Sequence, residues 1–99
     1  MDDVREFNRE HDLALAPEHR VLDLVAETGE LSKAVLKASD YGDADAEATP
    51  ELADELGDVY YCLLSLADEL GVDPEAALAA SLEKYRGRAE EGGGVGSGE

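Results

Sequence analysis

The chain has a single cysteine, no tryptophan, little positive charge and no long apolar run, and each shortage closes off a class of protein. One cysteine, Cys62, cannot form an internal disulfide and cannot by itself build a zinc site, which fits a reducing compartment. Eight Lys plus Arg stand against 25 Asp plus Glu, a formal charge of −17 over 99 residues. Phosphate backbones and anionic leaflets repel such a chain, so neither a nucleic acid polymer nor a membrane is the expected partner. No stretch nears the roughly 20 apolar residues of a spanning helix, and Met1-Asp2-Asp3 lacks the basic and apolar regions of a signal peptide. A cytoplasmic protein is expected. Only three lysines, Lys33, Lys37 and Lys84, accompany the acids, a balance that suits a halophilic protein solvated in concentrated salt, where screening quiets the repulsion.

What is present argues for a folded domain. Apolar residues make up 43% of the chain, too many for a disordered acidic tail. Each of the three prolines sits where a helix would begin, in Ala16-Pro17-Glu18, Thr49-Pro50-Glu51 and Asp73-Pro74-Glu75. Proline at the first helical position loses no intrahelical bond, the following glutamate sits at the positive end of the helix dipole, and Thr49 and Asp73 are good N-caps. Helices are predicted over about 17–39, 50–70 and 74–89, the second of these stopped by Gly71, with an earlier one from Asp2 or Asp3 to about Leu15. In the helix from Pro17, the residues Val21, Leu24, Val25, Thr28, Leu31 and Val35 form one stripe at 100° per residue. No strand-period segment survives. The expected fold is therefore all-α, a four-helix bundle over residues 1–89, followed by a disordered, Gly-rich acidic tail over 90–99. Because the two long helices are apolar nearly all round, at least a homodimer is expected.

Two acidic words stand out, Glu27-Thr28-Gly29-Glu30 and Glu55-Leu56-Gly57-Asp58. Acids three residues apart occur no more often than composition alone predicts, so spacing carries no information and a solvated acidic face is the default. Position says more. Both pairs flank the apolar edge of their helices, so antiparallel packing of the two stripes would bring four carboxylates to the rim of one helix pair. Like charges so placed raise one another's pKa and call for a cation, and hard oxygen donors suit Mg²⁺ better than zinc. Glycines inside both words cost about 0.8 to 1 kcal/mol each in a helix, a cost that a site or a close helix crossing would explain.

Glu27-x-x-Glu30, 24 intervening residues and then Glu55-x-x-Asp58 resemble the signature of the MazG-like, all-α nucleoside triphosphate pyrophosphohydrolases. Leu24-Val25-Ala26-Glu27-Thr28-Gly29-Glu30-Leu31 resembles the family's first motif helix. Glu55-Leu56-Gly57-Asp58-Val59 with Leu70-Gly71-Val72-Asp73-Pro74-Glu75 resembles the second motif and the turn after it, and Lys84-Tyr85-Arg86-Gly87-Arg88 the closing Lys-aromatic-x-x-Arg. Ala26 precedes Glu27 and Thr28 follows it, so a further glutamate frequent in the family is missing.

The resemblance implies Mg²⁺-dependent hydrolysis of an NTP or dNTP to monophosphate and pyrophosphate, a house-cleaning activity on the nucleotide pool, with Mn²⁺ as a possible substitute. It casts Glu27, Glu30, Glu55 and Asp58 as metal ligands and catalytic residues, one glutamate also serving as general base. Lys37, Lys84 and Arg88 become candidate phosphate clamps, since an acidic site still needs cations for the phosphates. A homodimer or a homotetramer follows from the family. The rival expectation is a non-catalytic acidic helical module that binds a partner or a nucleotide, its carboxylates serving only solubility.

Overall fold

The computed structural model describes residues 1–92. Among them there are four α-helices and no strand: α1 (Asp2–Glu10), α2 (Pro17–Ala38), α3 (Pro50–Leu70) and α4 (Pro74–Glu90), with one 3₁₀ turn at Asp40–Gly42. The fold is all-α, and no described helix is long and apolar enough to cross a membrane. The expected tail falls mostly outside the described residues, at 93–99, and its first residue closes α4.

The helix ends follow local chemistry. The Thr49 hydroxyl accepts a hydrogen bond from the Leu52 amide at 3.1 Å, and the Asp73 carboxylate accepts from the Glu75 and Ala76 amides at 3.0 and 3.3 Å. Gly71 stops α3 in the left-handed region at φ 69°, and the Val72 amide donates back to the Ala67 carbonyl. The first helix is shorter than predicted. Asp12 takes φ 52° and the Leu13 amide turns back to the Asn8 carbonyl at 2.8 Å, so the helix closes on a left-handed cap that aspartate tolerates, ahead of Leu15.

α2 and α3 pack along each other, α1 packs on α3, and no residue of α4 is buried. Lys37 approaches Glu51 while Glu27 approaches Asp58, so α2 and α3 run antiparallel. Arg5 meets Asp68 while Asn8 meets Tyr61, so α1 is antiparallel to α3 as well. The face of α2 turned to α3 differs from the predicted stripe. It carries Arg20, Leu24, Glu27, Leu31, Ala34 and Ala38, whereas Val21, Val25, Thr28 and Val35 are exposed. The small side chains Ala34 and Ala67 are buried in the core beside Leu64, and many of the larger apolar residues are left exposed.

The buried apolar core is thin, consisting of Ala34, Cys62, Leu64 and Ala67. A radius of gyration of 16.2 Å exceeds the roughly 13 Å of a compact domain this long. Leu22, Val25, Leu56, Tyr60, Leu70 and Leu78 are each more than half exposed.

Candidate active site

The antiparallel α2–α3 pair brings acids from both motif words together. One carboxylate oxygen from each of Glu27, Glu55 and Asp58 lies within 4.8 Å of the others. Glu55 and Asp58 are one turn apart on α3, and Glu27 faces them from α2. Glu27 and Glu55 are half-buried in the seam, Glu27 because the rotation of α2 points it inward.

The Glu55 carboxyl is held above the ordinary glutamate range, first by loss of solvent and then by the charges of Asp58, Glu27, Glu30 and Asp54. Glu30 therefore bears on the cluster, although it is exposed and stands outside the tight group of three. Cys62, one turn beyond Asp58, is a buried free thiol whose pKa is raised by burial and then by Glu27 and Asp23, with Arg20 acting in the opposite direction.

The residues singled out as phosphate clamps are not gathered here. Lys37 lies exposed at the end of α2, 3.8 Å from Glu51. Lys84 and Arg88 lie on α4, no residue of which is buried, and flank the Tyr85 ring, 5.0 and 5.7 Å from its centroid. His11 and His19 are exposed.

Three carboxylates at this separation, with their hard oxygen donors, are a donor set that fits a hard divalent cation. A model of the MazG nucleotide pyrophosphohydrolase domain matches residues 16–92. The chain belongs to the MazG family. The matched region spans both acidic words, α2 through α4, and leaves α1 ahead of it. Searches of curated proteins and of solved structures find no match.

Two features escaped sequence reasoning, one inside the MazG domain and one between it and α1. Arg20 is buried on the face of α2 that carries Glu27, where a lone arginine reads as a surface residue. Asn8, Ser65 and Tyr61 form a hydrogen-bonded set between α1 and α3, with Asn8 and Ser65 buried and Tyr61 half-buried, which no hydropathy pattern marks.

Proposed function

We propose that the chain is a divalent-cation-dependent nucleoside triphosphate pyrophosphohydrolase, converting an NTP or dNTP to monophosphate and pyrophosphate in house-cleaning of the nucleotide pool. The observation that carries this is the convergence of Glu27, Glu55 and Asp58 from two helices, inside a domain of the MazG family. These three carboxylates would hold Mg²⁺, or Mn²⁺ in its place, with Glu30 as a fourth ligand from the next turn of α2. The cation, when bound, neutralises triphosphate charge and lowers the pKa of water. The side chains supply the rest: they fix the geometry of the cluster, and one glutamate takes the proton of the attacking water.

The elevated Glu55 carboxyl supports the proposal, because carboxylates crowded without a counterion are costly and a divalent cation removes that cost. The thin core and the exposed Leu56, Tyr60 and Leu78 support assembly as a homodimer or homotetramer. Lys84 and Arg88, which lie away from the cluster in a single chain, would reach the phosphates only within such an assembly, whereas Lys37 would do so from the end of α2.

The test is pyrophosphate release over a panel of canonical and modified NTPs and dNTPs, in Mg²⁺ and concentrated KCl, beside Glu55→Ala. Pyrophosphate plus monophosphate from the wild type, lost in the variant, is expected. No turnover of any nucleotide by folded protein would favour a binding module instead.

A further inference from the structure

The α2–α3 seam holds one buried charge that takes no part in the proposed chemistry. Arg20 is only 3% exposed, and arginine is almost never so buried without a partner. Its guanidinium donates one hydrogen bond, to the Leu13 carbonyl, and its Nε has no partner. None of the four ion pairs among the described residues includes it, in a chain where acids outnumber basic residues 25 to 8. Arg20 precedes Glu27 by two turns, about 10 Å, on the face of α2 packed against α3. Both residues bear on the Cys62 thiol from across the seam, as does Asp23, while Asp58 acts on it from the preceding turn of α3. The guanidinium thus belongs to the same charged region as the carboxylates without touching any of them. Its bond to Leu13 anchors it there and ties the α1–α2 connector to the start of α2.

We propose that Arg20 is a positioning residue that sets the divalent-cation affinity of the carboxylate site, its fixed buried charge offsetting part of the repulsion that Glu27, two turns along the same face of α2, brings to the cluster. The proposal rests on the metal-site assignment above. With no cation bound, the guanidinium lowers the energy of the carboxylates and holds the seam closed. With a cation bound, the same charge opposes it. Because the guanidinium itself is buried, the interaction persists over two turns more strongly than it would between two charges in open water.

The experiment titrates full-length wild type, Arg20→Met and Arg20→Lys with Mn²⁺ alone by calorimetry, and follows thermal unfolding in EDTA and in saturating Mn²⁺ at fixed ionic strength. Arg20→Met should bind Mn²⁺ about tenfold more tightly. It should also unfold earlier than wild type in EDTA, with the gap narrowing in Mn²⁺. Arg20→Lys, which keeps the charge, should stay within about twofold of wild-type affinity. A variant that folds only when Mn²⁺ is present would also support the proposal. Unchanged or weaker binding by Arg20→Met overturns it, as does a variant that fails to fold with and without Mn²⁺, since either outcome leaves Arg20 a purely structural residue. Absence of Mn²⁺ binding by the wild type is a different result, because it removes the metal-site assignment itself and this proposal with it.

Discussion

Helix α3 has two seams of opposite character. Against α1 its polar groups are paired: the Asn8 amide donates to the Ser65 hydroxyl at 3.0 Å, the Tyr61 hydroxyl donates to Asn8 Oδ1, and Arg5 Nε lies 2.8 Å from the Asp68 carboxylate. Against α2 the charges are left over, three carboxylates crowded together and a guanidinium with a free Nε. A buried polar network that satisfies itself gives register and rigidity, whereas one that does not is poised to meet a ligand. The α1 seam reads as structure and the α2 seam as a site, and the family match falls the same way, covering α2 and α3 but not α1.

The largest effect should come from the α2 seam. Glu27→Gln keeps the shape of the side chain but removes one charge and one ligand oxygen, and should lower pyrophosphate release by about three powers of ten, roughly 4 kcal/mol of barrier, with no comparable loss of fold. Turnover within tenfold of wild type would break the distinction between the seams.

The same seam should carry a pH signature. A carboxyl whose folded pKa is raised contributes stability that is fully present below its unfolded pKa and lost as pH rises through the folded value. Metal-free wild type should therefore lose stability across that window above the ordinary glutamate pKa. Glu55→Gln should be the more stable protein in EDTA at pH 7 and lose its stabilisation by Mg²⁺, as read by thermal unfolding against pH. A variant less stable than wild type in EDTA at pH 7 would mean that Glu55 is held by favourable contacts rather than against repulsion.

In the α1 seam the effect should be on stability. Asn8→Ala leaves the Ser65 and Tyr61 hydroxyls without their shared partner, Ser65 being fully buried, and should cost about 2 to 3 kcal/mol in urea unfolding. It should leave the Mg²⁺ dependence of turnover unchanged. If Asn8→Ala altered cation affinity as strongly as Glu27→Gln does, the two seams would be one network.

The parts legible in the sequence were those set within a few residues. Thr49, Asp73 and Gly71 act as caps because a hydroxyl, a carboxylate and a missing Cβ answer backbone needs in the adjacent turn. The acids of α2 and α3 could be placed near one another because each pair rides on a helix whose start is marked by proline. The rotation of α2 could not be read. Val21 and Val25 are as apolar as Leu24 and Leu31, so hydropathy does not say which of two apolar faces meets α3 within the chain. Burial of Ala34 shows the outcome on α2, a small residue inside while Val21, Val25 and Val35 stay out. Arg20 was illegible because its burial follows from that rotation, and Asn8 because its partners, Ser65 and Tyr61, are distant in sequence. The glycine of each acidic word had two explanations, a site or a close crossing. Among the described residues, a Cβ at Gly29 or Gly57 would meet nothing within 4 Å, so no described helix of the same chain crosses closely there.

That finding gives the smallest effect and separates the faces of α3 from one another. Gly57 lies on the side of α3 turned toward neither α1 nor α2, where Ala53, Leu56, Val59, Tyr60 and Leu63 border an open apolar hollow. In an isolated chain Gly57→Ala should gain about 0.5 to 1 kcal/mol, the helix propensity of alanine over glycine, because the added methyl meets no neighbour. If this face is where a second copy packs, the same methyl meets a backbone drawn close by the glycine, and the variant should dissociate at a higher protein concentration than wild type. Sedimentation of wild type and Gly57→Ala across a dilution series, with unfolding measured at each concentration, separates the two. A gain in stability with unchanged association places the copy-to-copy contact away from Gly57. Weakened association would make this third face of α3 the seam between copies, and would explain why its apolar side chains stay exposed in one chain.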